Sequence, residues 1–341
     1  MSHRLHDIAR YIVSPQKGIL AADESSPTIK KRFDAIDVES TEDNRRAYRD
    51  MLFTTPGVEA FVSGVILFDE TIRQKALDGT PFPALLAAKG ILPGIKVDAG
   101  AKDLAGAPGE KVTEGLDGLR ERLVEYRGLG AKFAKWRAVI DIDTAKGIPS
   151  DYCLEVNAAA LARYAALCVE QEIVPIVEPE VLMDGAHDID TCDAVTERGL
   201  RMLFSALATQ RVPLEQILLK PNMVISGKKS PTQASVSEVA AKTIACFKRV
   251  VPAAVPGIVY LSGGQTEEVA TAHLNEMNRS GGFPWEMSFS YGRALQAAAL
   301  SAWRGKAENV AAGQAAFLHR ARCNGAARSG AYNDAMEKQA A

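Results

Sequence analysis

The chain has 341 residues, 47% of them apolar, and its well-mixed charges sum to −2. That is enough to bury a large core, and it excludes several classes: there is no basic block for nucleic acid, no acidic tail, and no apolar stretch approaching the roughly 20 residues that a bilayer crossing needs. The opening MSHRLHDIARYIVSP carries charges through its would-be apolar region and has no small-residue cleavage site, so a signal peptide is not expected, and a soluble cytoplasmic protein is.

Short apolar runs alternate with longer amphipathic ones. The first run, Gly18–Asp23, ends in Asp23 and is followed by a polar and cationic group, Ser25, Thr28, Lys31 and Arg32. Gly64–Asp69 and Gly94–Asp98 come next, the latter ending Lys96-Val-Asp98. Glu114–Arg127 has Leu116, Leu119, Leu123 and Tyr126 at helical steps of three and four. Lys132–Ile140 contains Lys135-Trp-Arg137, the helical pattern Glu155–Glu170 follows, and Val174–Glu180 ends Glu178-Pro-Glu180. Helical Asp193–Ala208 leads to Ile217–Asn222 with Lys220-Pro-Asn222, and helical Val236–Val250 leads to Gly257–Ser262 and the turn Ser262-Gly263-Gly264. The eighth run, Met287–Tyr291, passes into Ser290-Tyr-Gly-Arg293.

Eight strand-like runs interleaved with helices predict an α/β (β/α)8 TIM barrel. An open doubly wound sheet is the competitor, but polar residues recur at the C-terminal end of nearly every run, where barrel sites are assembled, and no GxGxxG turn supports a dinucleotide fold. A single barrel domain over 1–321 and a mobile tail over 322–341 are expected. None of the five cysteines forms a CxxC pair; Cys153, Cys168 and Cys246 sit in apolar helical patterns and read as buried free thiols. Disulfides are not expected in a reducing compartment.

Barrel strands are covered on both faces, so an interior charge is costly unless it is paired or used. Residues two apart share a face. Lys96 with Asp98, Lys135 with Arg137, Glu178 with Glu180 and Lys220 with Asn222 are therefore same-face pairs. Any one of them could be a structural ion pair. Converging from different strands with Asp23, they instead predict one pocket of acids and bases. A lysine amine has a pKa near about 10.4 and is seldom nucleophilic at neutral pH; a neighbouring cation in a partly dry pocket lowers that value. Lys135 and Lys220 can form such a pair. A neutral amine adds to a ketone to give an iminium, an electron sink for the carbanion left by carbon–carbon cleavage, while Asp23, Glu178 and Glu180 move protons.

The turn Ser262-Gly263-Gly264 before a helix can aim backbone amides at an anion, and Arg293 would add a guanidinium. Ser25, Thr28, Lys31 and Arg32 supply a second candidate anion site. Two such sites suit a substrate phosphorylated at both ends. The five histidines show no HxH or HExxH spacing, so no metal and no cofactor are expected.

These residues lie in segments that resemble class I fructose-bisphosphate aldolase from Gly18 to Tyr332: GILAADES (Gly18–Ser25), GVILFDET (Gly64–Thr71), GIKVD (Gly94–Asp98), FAKWR (Phe133–Arg137), ARYA (Ala162–Ala165), IVPIVEPE (Ile173–Glu180), LLKPNM (Leu218–Met223), LSGGQ (Leu261–Gln265) and SYGRALQ (Ser290–Gln296). The resemblance implies Lys220 as the Schiff-base lysine and Lys135 as the lysine that tunes it. It implies Glu178 as the acid and base of imine formation, Glu180 as a supporting carboxylate, and Asp23 as the group that helps take the hydroxyl proton. Arg137 and Lys96 would contact substrate; Ser262, Gly263 and Arg293 would hold one phosphate, with Ser25, Thr28 and Arg32 near the other. It further implies a cytoplasmic homotetramer acting in glycolysis and gluconeogenesis on a phosphorylated ketose and triose phosphates, without a metal.

The sequence departs from the family pattern at Ser26-Pro27, where the family usually has Thr-Gly, at Asp69, where animal enzymes carry histidine, and at its end, Gln339-Ala-Ala341, where many members carry a tyrosine that assists proton transfer. Two other readings fit the residues: a Schiff-base lyase or transaldolase for another sugar phosphate, and a non-catalytic sugar-phosphate sensor on a retained barrel.

Overall fold

All eight short apolar runs form parallel strands, and they close into one barrel. In a computed structural model, which describes residues 2–338, the chain begins with α1 (Ser2–Ile12), β1 (Gly18–Ala22), α2 (Ser26–Asp34) and α3 (Glu42–Thr54). It continues with β2 (Val62–Leu67), α4 (Asp69–Arg73), α5 (Phe82–Ala88), β3 (Leu92–Lys96), β4 (Ala101–Asp103), β5 (Lys111–Thr113), α6 (Leu119–Gly128) and β6 (Phe133–Ile140). Then come α7 (Asp151–Glu170), β7 (Val174–Val181), α8 (Ile189–Thr209), β8 (Leu218–Leu219), α9 (Val236–Val250), β9 (Gly257–Tyr260), α10 (Glu267–Ser280) and β10 (Glu286–Tyr291). The last helices are α11 (Arg293–Trp303), α12 (Val310–Ala327) and α13 (Asp334–Glu337). Around the barrel the strands run β1, β10, β9, β8, β7, β6, β3, β2. The (β/α)8 TIM barrel expected from the sequence is the architecture.

The period of two along each strand divides the barrel interior into levels. Val174 and Ile176 on β7, Phe133 on β6, Leu218 on β8, Val259 on β9 and Ile19 on β1 pack together as an apolar lower layer. The same faces continue upward as Glu178 and Glu180, Lys135 and Arg137, Lys220, Leu261, and Asp23, all of which line a cavity at the C-terminal ends of the strands. Register locks this level: Lys96 pairs with Lys135, and Arg137 with Glu178. The lower layer leaves little room. A Cβ on Gly94 would lie 2.3 Å from the buried Phe133 ring, so only glycine lets that ring fill the axis.

Helix α1 closes the other end. Leu5, Ala9 and Ile12 recur at helical spacing and pack with Val13 against the apolar layer. Val13 lies where a Cβ on Gly257, the first residue of β9, would stand. The charged floor of the cavity thus rests on a dry, plugged barrel.

Three elements differ from the sequence expectation. Helix α6 starts at Leu119, five residues after Glu114, because 111–113 pairs with 101–103 in a small antiparallel hairpin and Gly115 and Gly118 take left-handed φ of 122° and 65°. All five cysteines, not only three, are buried and free. The division at 321/322 falls inside α12, whose Ala321, Cys323 and Asn324 are buried. Beyond it, the Arg328 guanidinium donates to the carbonyls of Lys17, Val13, Ser14 and Met287 at the barrel's lower end. Gln339–Ala341 lie outside the described residues.

Candidate active site

The cavity at the upper end of the barrel measures about 690 Å3. Its floor is a chain of opposite charges. The Lys135 ammonium lies 2.8 Å from Asp23 Oδ2, 3.4 Å from Glu178 Oε2 and 3.8 Å from Asp98 Oδ2. Lys220 Nζ lies 3.2 Å from Glu178 Oε1. The sequence reading set Lys135 and Lys220 side by side as cations; the structure interposes Glu178, with one oxygen toward each. All five side chains are at most 13% exposed, so these charges act on one another with little screening.

The electrostatic consequences follow from burial opposed by charge. For Asp23, burial would favour the neutral acid, but the Lys135 and Lys220 ammoniums hold its carboxyl far below the usual carboxylate range. For Lys135, burial would favour the free amine, but Asp23, Glu178 and Asp98 hold its ammonium well above the usual lysine range. Lys135 is therefore a fixed cation. Glu178 Oε2 makes no hydrogen bond among the described residues, although it is buried. That oxygen faces Lys135, while Oε1, 3.2 Å from Lys220 Nζ, is the one placed to exchange a proton with the amine.

Two further sets of polar groups line the same cavity. In the first, Ser262 and Gly263 follow β9, and Arg293 Nη2 donates to the Gly263 carbonyl at 2.8 Å. In the second, Ser25 caps α2, Thr28 lies in its first turn, and Lys31 and Arg32 lie in its last. Pro27 occupies the first turn of that helix, where a backbone N–H has no intrahelical acceptor, so it fits without a kink. Lys96, whose Nζ is 3.0 Å from Asp98 Oδ1, and Arg137, paired with Glu180, also line the cavity.

The structure does not bring two expected residues to the cavity wall. Gly264 is turned away by the left-handed Gly263 (φ 55°), and its N–H points at Met183 Sδ, 2.7 Å away. Asn222 does not share the Lys220 face, because β8 ends at Leu219 and the strand alternation stops there. Its side chain accepts from Val181 N–H at 3.1 Å and donates to Thr196 Oγ1 at 3.1 Å, fastening β7 to α8.

Glu24 was not singled out in the sequence, yet it lines the cavity. Its carboxylate is buried between Arg32 and Arg49, the latter 2.5 Å away, and accepts from Gln296 Nε2 at 2.9 Å. Burial opposes its ionisation, and the two guanidiniums override that and hold it below its usual range. Glu24 orients Arg32. The signal available was a charge directly after Asp23 in a strand-end motif.

A similar support lies under the β9 turn. Gln265 Nε2 donates to the Ser262 carbonyl at 3.1 Å, and its Oε1 lies 2.6 Å from Nδ1 of buried His273. Burial pushes His273 down to about 4. The unfolded chain therefore protonates this residue first. Its contribution is fully present above about pH 6.5 and is lost as pH falls toward 4, by up to about 3 kcal/mol from about 1.4 kcal/mol per pKa unit. Urea midpoints measured from pH 7 to 4 are expected to fall, and His273→Gln is expected to flatten that slope; equal slopes would remove His273 as its cause.

A family model, glycolytic fructose-bisphosphate aldolase class-I, matches residues 4–341. A probable fructose-bisphosphate aldolase class 1 of Xanthomonas campestris is 59% identical over 330 residues, covering 96% of this chain and 98% of that protein. Fructose-bisphosphate aldolase 1 of Toxoplasma gondii is 54% identical, covering 97% and 92%, and the cytosolic aldolase 5 of Arabidopsis thaliana is 54% identical, covering 95% and 90%. The solved fructose-bisphosphate aldolase of Plasmodium falciparum, in a ternary complex with TRAP and an inhibitor, superposes with a TM-score of 0.96 at 50% identity, over 97% of this chain and 96% of that one. With a lysine between acids at the floor of a closed barrel and this likeness along its whole length, the chain belongs to the class I fructose-bisphosphate aldolase family.

Proposed function

We propose that this enzyme reversibly cleaves fructose 1,6-bisphosphate to dihydroxyacetone phosphate and glyceraldehyde 3-phosphate through an imine on Lys220. The observation that carries the reading is the Lys220–Glu178–Lys135–Asp23 chain, buried in a cavity that Ser25, Thr28, Arg32, Ser262, Gly263 and Arg293 also line. Glu178 Oε1 takes the Lys220 proton, and the free amine adds to the ketone carbon. Glu178 then returns a proton to the carbinolamine hydroxyl, water leaves, and the iminium forms. Asp23 accepts the substrate hydroxyl proton as the carbon–carbon bond breaks and its electron pair enters the iminium. Lys135 keeps the Asp23 carboxylate ionised. Ser262, Gly263 and Arg293 would hold one phosphate, and Ser25, Thr28 and Arg32 the other. Lys96 and Arg137 would hold the hydroxyl-bearing stretch between.

Borohydride reduction in the presence of dihydroxyacetone phosphate is expected to leave one adduct, on Lys220, by peptide mass mapping. An adduct elsewhere, or none, would overturn the mechanism. The family resemblance supports a homotetramer, which sedimentation tests. The cytosolic relatives support a cytoplasmic enzyme, and no described helix is long and apolar enough to cross a membrane.

A further inference from the structure

A second chemical cluster lies away from the cavity, where the C-terminal segment folds back on the last long helix. His319 and Cys323 stand four residues apart on one face of α12, and Glu337 ends the short helix α13. His319 Nε2 lies 3.7 Å from Cys323 Sγ and 3.5 Å from Glu337 Oε2, and one ligand atom of each residue lies within 4.8 Å of the others. No other such group of three occurs among the described residues, and none of the three lines the catalytic cavity. We propose that His319, Cys323 and Glu337 bind one divalent cation of the zinc type, which ties the C-terminal segment to α12.

The spacings are those of a tetrahedral site. Ligand bonds of about 2.1 Å to nitrogen and oxygen and about 2.3 Å to sulfur place tetrahedral N and O about 3.4 Å apart, and N and S about 3.6 Å apart. The two separations from His319 Nε2 are within about a tenth of an ångström of these, and the sulfur-to-carboxylate separation, within 4.8 Å, closes by rotation of the Glu337 side chain. The ligand types select the metal: thiolate with imidazole and carboxylate favours zinc over magnesium or calcium, which take oxygen-rich sites. Three protein ligands leave a fourth position for water. His319 and Glu337 are 15% and 24% exposed, which gives an ion access, while Cys323 is buried beneath them.

Binding balances simply. The Cys323 S–H bond breaks, its electron pair forms the sulfur–metal bond, and the proton leaves to solvent. His319 gives the Nε2 lone pair with its proton on Nδ1, and Glu337 gives a carboxylate lone pair. Burial raises the Cys323 thiol to about 11, so without a metal it stays protonated. Thiolate and carboxylate then neutralise the dication, which matters because the Arg320 guanidinium already pairs with Glu337 and would repel a bare cation. Arg320 and the Tyr332 hydroxyl, 2.6 Å from Glu337 Oε1, hold the carboxylate in place for the third ligand position.

The test is titration of the full, chelator-dialysed chain with cobalt(II), then zinc. The expected result is one cobalt per chain, a near-ultraviolet thiolate-to-cobalt charge-transfer band, and loss of that band as zinc displaces cobalt. His319→Ala and Cys323→Ser should each weaken binding by more than the ~10–100-fold typical of losing a group that merely supports a ligand. Saturating zinc should slow chymotryptic cleavage after Tyr332 in the parent chain but not in His319→Ala. His319 does not line the catalytic cavity, so the aldol cleavage rate of that variant is expected to match the parent, with circular dichroism checking its fold. No band, a band that survives both substitutions, or zinc-independent proteolysis would overturn the proposal.

Discussion

Replacing Lys220 with arginine is expected to lower kcat for fructose 1,6-bisphosphate cleavage by about 10^4-fold or more, with the barrel intact. The size of the loss follows from what arginine keeps and what it removes. A guanidinium stays protonated, so it has no lone pair to add to a carbonyl. It still offers a cation to Glu178, which now lies 3.2 Å from Lys220 Nζ, so the buried carboxylate is not orphaned. The electron sink is therefore deleted while the charge is retained, and substrate should still bind through the two proposed phosphate sites. Lys220→Met, which removes the charge as well, should lose a similar factor in kcat and also some stability. Turnover, borohydride trapping and circular dichroism together check this. A trapped adduct in the arginine variant, or a rate within about tenfold of the parent, would remove Lys220 from the chemistry.

The charged upper layer could be read from the sequence because a period of two is strict in a strand. Lys135 with Arg137 and Glu178 with Glu180 were placed on shared inward faces by spacing alone, and each lines the cavity. The same rule failed at Asn222 for a physical reason. It holds only while the strand lasts, and β8 is two residues long, so the chain after Lys220 turns and sends Asn222 outward. Gly264 misled in another way. Two adjacent glycines suggest an anion-binding turn, but which amide faces the cavity depends on φ, and the left-handed Gly263 turns the next N–H toward Met183.

Contacts between distant segments were not legible. Glu24 looks like one more charge in a polar stretch until the fold brings Arg49 and Gln296 to it. His319 and Cys323 share a helix face by spacing, but Glu337 approaches them only once the chain has folded back. Glu178 was legible as a carboxylate on the right face but not as the link between the two lysines. That position sets its expected mutational behaviour.

Glu178→Gln and Asp23→Asn are each expected to slow fructose 1,6-bisphosphate cleavage by about 10²–10⁴-fold, the range for losing a positioned acid or base. They should separate when imine formation is measured alone. Glutamine keeps the shape of Glu178 but cannot accept the Lys220 proton, and it leaves Lys220 without its charge partner. Borohydride trapping with dihydroxyacetone phosphate should then slow by about the same factor as cleavage. Asparagine at position 23 removes the group 2.8 Å from Lys135, but Lys135 keeps Glu178 and Asp98 within ion-pair distance, and the Lys220–Glu178 contact is untouched. Trapping should stay within about tenfold of the parent while cleavage of the bisphosphate falls. The difference follows from geometry: one carboxylate touches the nucleophile, the other touches only the cation behind it. If both variants slow trapping equally, Asp23 acts by holding Lys135 and not by taking the hydroxyl proton; if neither does, proton transfer to and from the carbinolamine belongs to another group.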